Sequence, residues 1–139
     1  MIIDTIEQLL DVLSNNLNLH NDLVNISYIN KVIPNQPEEE YYGNREYKLF
    51  LDIHNNNEKL HKRSTQLLFR LCEGDGKAIY LIGIDDAGVS VGCNLTKLFK
   101  SITSIIKMSR IVNSIITKIT IYHSQNNKYI CSIRCKKSY

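Results

Sequence analysis

The chain has 139 residues and a mass of 16.0 kDa, with 43% apolar and 22% charged residues, the size and balance of one globular domain. That composition argues against a disordered or fibrous chain, and no stretch approaches the roughly 18 apolar residues of a bilayer-crossing helix. The net charge of +3 hides a division: residues 1–86 carry 8 Lys/Arg against 14 Asp/Glu, whereas residues 87–139 carry 9 Lys/Arg and no carboxylate.

In chain order, residues 4–14 are expected to be helical, with Asp4 and Glu7 as a capping pair and Ile6, Leu9, Leu10 and Leu13 on one stripe. The start Met1-Ile2-Ile3-Asp4 has acid where a secretory signal has base, so the chain reads as cytoplasmic with no membrane partner. Residues 15–25 read as loop, 23–33 as ambiguous, and 34–45, with Glu38-Glu39-Glu40, as an acidic connector. Residues 1–45 are therefore a helix and connector leading into a compact domain over 46–139. In that domain residues 46–53 alternate as a strand, and 58–73 form a helix with a stripe of Leu60, Leu67, Leu68 and Leu71, stopped by Gly74. Residues 77–84 form a central strand, Asp85-Asp86-Ala87-Gly88 a turn, and 89–92 a short return strand. A second helix over 96–112 buries Leu98, Phe99, Ile102, Ile105 and Ile106, and strands over 115–123 and 128–136 close the chain as a hairpin. The order β-α-β-β-α-β-β predicts an α+β fold, a mixed sheet with two helices on one face.

The closing hairpin carries the most information. Its alternation sends Tyr129, Cys131, Ile133 and Cys135 to one face and Lys128, Ser132, Arg134 and Lys136 to the other, while Lys118, Thr120 and Tyr122 of the partner strand also face outward. One face is core. The other is a cationic row with a ring able to stack on a base. On the second helix Lys97, Lys100, Lys107 and Arg110 share one arc, and on the first Lys59, Arg63 and Arg70 do the same. Such rows are ordinarily solvation. Three of them in succession, beside a segment without carboxylates, point to a surface for a polyanion.

The four cysteines lack C-x-x-C spacing and are expected to be buried thiols; Cys131 and Cys135, about 13 Å apart along a strand, cannot share a zinc ion or a disulfide. Gly83 to Ser90 has the glycine spacing of a phosphate-binding loop, but Val89 stands where the lysine must be, and two carboxylates oppose phosphates, so no GTPase site is expected here. No cofactor is expected. Glu46 and Lys48 with Asp85 and Asp86 are the candidates for a divalent-ion hydrolytic site. The four histidines have neither metal spacing nor an evident nucleophile to serve.

Glu46 to Leu49, Ser64 to Gly76, and Ala78-Ile79-Tyr80-Leu81-Ile82-Gly83-Ile84-Asp85-Asp86-Ala87-Gly88 resemble the region before the GTPase domain in a family of elongation-factor-Tu-like proteins, whose animal members are GTP-binding proteins one and two. The resemblance covers about residues 40–137, and its plan is similar to Alba-like and Schlafen-type nucleic-acid-binding domains. It implies the amino-terminal module of a translational elongation-factor-like GTPase, engaging tRNA or the ribosome, with a GTPase domain in cis or in trans. Two other readings accompany it: a metal-dependent Schlafen-type RNase using Glu46, and a docking domain for a GTPase core through the acidic half.

Overall fold

The computed structural model describes residues 1–17 and 24–138; the expected loop over residues 15–25 lies, for 18–23, outside them. Helix α1 runs Ile6–Leu17, followed by β1 Asn25–Val32, β2 Arg45–Lys48, α2 Asn57–Glu73, β3 Lys77–Ile82, α3 Leu95–Ile111, β4 Ser114–His123 and β5 Tyr129–Lys137. The five strands form one sheet in the order β1-β4-β5-β3-β2, with β1 parallel to β4, β2 parallel to β3, and β5 antiparallel to both β4 and β3. It is an α+β fold with a mixed sheet.

Each helix forms for a local reason. At α1 the cap is Thr5 with Gln8, one residue after the expected Asp4 and Glu7: the Gln8 amide donates to Thr5 Oγ1, and the Asp4 and Thr5 amides donate to Gln8 Oε1. Asn56 and Asn94 cap α2 and α3 by accepting from the Lys59 and Lys97 amides, and Gly74 ends α2. On α2 the buried stripe is Ser64, Leu67, Arg70 and Leu71; Leu68 is exposed, contrary to the sequence reading. The α3 stripe includes Leu98, Ile102, Ile105 and Met108, all fully buried, with Phe99 and Ile106 at its margin.

The helices cover one face of the sheet. There Ala78, Tyr80 and Ile82 of β3, Cys131, Ile133 and Cys135 of β5, and Ile116, Ile119 and Ile121 of β4 meet Leu67, Leu71 and the α3 stripe in the main core. Leu9 and Leu13 of α1 and Ile26 and Tyr28 of β1 join the same core, so the chain before residue 46 shares the sheet and interior of the later elements. β1 is hard to read in the sequence because it is an edge strand, with Asn25, Asn30 and Lys31 exposed among its apolar residues.

Two expected strands are shorter than their patterns. β2 ends at Lys48; Leu51 and Ile53 still reach the core, but their amides donate to Ser101 Oγ (2.9 Å) and Ser104 Oγ (3.2 Å) of α3 rather than to a neighbouring strand. The run ending at Ile84 leaves the sheet after Ile82, and its return strand is reduced to one bridge, Ile84 with Ser90. The connector takes its place. The Gln36 amide donates to Gly88 O (2.7 Å), the Glu39 amide to Asp86 O (2.8 Å), and Ser90 Oγ to Ile33 O (2.7 Å). Gly88 has φ +91°, and a Cβ there would lie 2.0 Å from Gln36 O, so only glycine allows this approach. Within this loop the Gly88 and Val89 amides are both spent on Asp85.

Candidate nucleic-acid interface

The face of the sheet away from the helices divides into two halves. Near the ends of β2 and β3, Tyr47, Ile84 and Ile130 form a second small core with Ile33 and Leu81, roofed by the connector, whose Pro37 carbonyl accepts from Tyr47 Oη (2.9 Å). At the opposite end nothing covers the strands among the described residues, and the register sets the side chains in rows. Lys77 stands beside Lys136, itself beside Ile115. In the next row Lys118, Arg134, Ile79 and Arg45 follow one another across β4, β5, β3 and β2. Neighbouring strands lie about 4.8 Å apart and alternate residues about 6.6 Å, so these cations occupy a compact lattice.

The five cations of this lattice are exposed. A β-bulge at Thr117, between Ile116 and Lys118, restores Lys118 to the outward face after Ile116 has pointed inward, and Thr117 Oγ1 donates to Arg134 O (3.4 Å). Between the rows lies a depression of about 330 Å³ lined by Asn44, Lys77, Ile79, Thr117, Arg134 and Lys136, with no carboxylate among them. Arg45 is different in its surroundings: it shares a smaller hollow of about 170 Å³ with Glu38, Glu39 and Glu40. The carboxylate-free part is therefore Lys77, Lys118, Arg134 and Lys136.

The cations expected to act together are divided by the fold. Lys118, Arg134 and Lys136 are brought together, joined by Lys77 from the acidic half of the sequence. Tyr122 is on the same face but pairs with Ile130 beside the small core, about 13 Å along β4 from Lys118. Lys128 precedes β5 at the far end, where its charge and that of Lys97 both act on Cys93. Lys97, Lys100, Lys107 and Arg110 are exposed on α3, on the opposite side of the sheet and turned away from it. The expected single patch is thus two, because α3 packs on the core face while the hairpin presents its cations outward. Lys77 and Arg45 were missed because only strand register, not local charge, places Lys77 beside Lys136 and Arg45 in the row of Arg134.

The α2 row is corrected as well. Arg70 is 4% exposed: Nε donates to Glu46 Oε1 (3.0 Å), Nη1 to Gly43 O (2.8 Å) and Tyr41 O (3.3 Å), and Nη2 to Glu40 O (3.1 Å). Arg63 is half-buried against Gln66. Arg70 holds the start of β2 and the connector to α2, and it neutralises Glu46, whose other oxygen lies 3.5 Å from Lys48 Nζ. A carboxylate so occupied is not an open ligand for a divalent ion, and Asp85 Oδ1 is committed to the Val89 amide. Among the described residues, no group of three or more His, Cys, Asp or Glu side chains is placed to hold a metal ion.

Glu39 is the perturbed carboxyl of this region. Burial raises its pKa; the Tyr47 amide, donating to Oε2, opposes the rise, and the nearby Glu46 and Asp86 add to it. Three cysteines are buried, and burial pushes Cys93 to about 11, Cys135 to about 12 and Cys131 well above the usual thiol value. Cys72 is exposed on α2, contrary to the expectation of four buried thiols. His123 pairs with Tyr28 Oη and packs on Tyr129 at 5.0 Å, a core-margin position.

No family model matches this chain. Over 84 residues, 60% of its length, it is 36% identical to GTP-binding protein 2 of Homo sapiens and, to the same extent, of Mus musculus. It spans 14% of the length of those proteins. The identity supports a relationship to a GTP-binding protein. No described helix is long and apolar enough to cross a membrane.

Proposed function

We propose that this chain is a non-catalytic module that accompanies a GTPase core, in cis or in trans, and contacts the phosphodiester backbone of tRNA or ribosomal RNA through the outer face of its sheet. The observation that carries this reading is the lattice of Lys77, Lys118, Arg134 and Lys136 on an uncovered, carboxylate-free half-sheet. Ordinary solubility is served by mixed charges; one sign concentrated on a flat face attracts polyanions. The similarity to GTP-binding protein 2 supports the GTPase association. Phosphate contacts position a module without reading sequence, so binding is expected to be sequence-tolerant. If all four cations meet phosphates of a single strand, the slope of log K against log salt is about −2.8, from about −0.7 per contact.

The test is a salt titration of tRNA binding by fluorescence anisotropy, comparing wild type with Arg134→Ala/Lys136→Ala. The double variant should bind more weakly and lose between about 1.4 and 1.8 units of slope. An unchanged affinity and slope would remove the outer face from the interface. The docking alternative predicts no RNA binding and capture of a GTPase domain instead.

A further inference from the structure

The second cationic surface has a construction of its own. On α3 the side chains of Lys97, Lys100 and Lys107 project from the side opposite the sheet, and the extended segment from Leu49 to Ile53 is laced along the helix by Ser101 and Ser104. This lacing places Phe50 beside the lysines, with Lys97 Nζ 5.4 Å from the ring centroid. The ring stays 39% exposed, although an apolar core lies one residue away at Leu51. Further along the same segment and helix, His54, Phe99, Lys100, Thr103 and Lys107 line a hollow of about 270 Å³. Asp52 is the single carboxylate in that lining, and its Oδ1 accepts from the His54 amide (3.1 Å).

An exposed aromatic ring with a cation over it, next along the same helix to a shallow hollow lined by two further lysines, is an arrangement suited to single-stranded nucleic acid: the ring stacks a base and the lysines hold the adjoining phosphates. A duplex cannot use the ring, because its bases are already stacked. We propose that the α3 face, centred on Phe50, Lys97, Lys100 and Lys107, is a second site that binds a single-stranded RNA segment, so that one copy of the chain bridges two RNA segments held on opposite faces of the sheet. The proposal takes its ligand class from the outer-face reading but stands on separate residues.

The test uses oligo(U) carrying either a donor or an acceptor fluorophore, mixed with the intact chain. Bridging gives energy transfer that rises with protein and falls again when protein is in excess. Lys100→Gln/Lys107→Gln should abolish the transfer while leaving the outer face able to bind. Phe50→Leu, which keeps an apolar side chain over the Ser101 and Ser104 segment, should weaken the second site about tenfold for oligo(U), as expected for loss of one stacked base. It should have no effect on a blunt duplex. In the Arg134→Ala/Lys136→Ala background, residual oligo(U) binding should depend on Lys100 and Lys107. Energy transfer unchanged by the α3 substitutions, or poly-glutamate displacing oligo(U) from the α3 face at equal charge concentration, overturns the second site and leaves the outer face standing. Residual binding that is as strong as wild type and lost with Lys100 and Lys107 supports the second site and overturns the outer-face reading.

Discussion

Replacing Arg70 by Met gives the most direct test of how the acidic connector is held. The guanidinium is 4% exposed, pairs with Glu46 at 3.0 Å and donates to the carbonyls of Glu40, Tyr41 and Gly43. Methionine keeps much of the apolar stem but leaves a buried carboxylate, 5% exposed, with Lys48 at 3.5 Å as its remaining cation, and strips a donor from three carbonyls. Breaking a buried pair on one side costs about 3–5 kcal/mol, to be set against a total stability of about 5–15 kcal/mol for a typical domain. At about 3 °C per kcal/mol the melting temperature should fall by roughly 10 °C or more. Urea unfolding followed by circular dichroism measures the loss. Glu46→Gln made in the Arg70→Met background should cost far less than in wild type, with a coupling of about 2 kcal/mol. A loss below about 1 kcal/mol for Arg70→Met, or additivity of the two changes, would refute the claim that this pair ties β2 and the connector to α2.

Other consequences are open to measurement. Glu39, raised above 4.5 chiefly by burial, holds its proton more tightly in the folded chain, so it takes stability away as pH rises from about 4.5 through its folded value. Glu39→Gln should therefore gain stability relative to wild type between pH 4 and pH 7, and a difference that stays constant across urea titrations at the two pH values contradicts this. Ser101→Ala removes the acceptor of the buried Leu51 amide and should cost about 1–3 kcal/mol in the same unfolding assay. Gly88→Ala forces a side chain against Gln36 O at a positive φ and should cost more than about 1 kcal/mol while increasing protease cleavage in the connector. With a disulfide reagent at pH 8, Cys72 should react in the native chain, whereas Cys93, Cys131 and Cys135 should react only on unfolding; a second rapid thiol in the native chain contradicts the burial.

Much of this architecture is legible in the sequence because period and burial coincide. The alternation of β5 gave Cys131, Ile133 and Cys135 to the core and Arg134 and Lys136 to solvent, and α3 buries Leu98, Ile102 and Ile105 as its stripe requires. The features that escaped were those decided by long-range partners. Leu51 and Ile53 alternate as a strand does, yet helix serines, not a neighbouring strand, satisfy their amides. Arg70 has the spacing of a solvated row, yet the buried Glu46 draws it inward. Similarly, the cations after residue 87 look like one group along the chain, but the sheet lies between those of α3 and those of the hairpin. Lys77, beside Lys136 through the β3–β5 pairing, could have been found from the predicted strands had their register been assigned.

The outer-face reading is tested most directly by backbone amide chemical-shift changes during titration with tRNA at low salt. The changes should be largest at Lys77, Ile79, Lys118, Arg134 and Lys136 and should fade as salt is raised. Changes confined to the connector around Glu38 to Glu40, or none at these five residues, would contradict the assignment of that face to RNA.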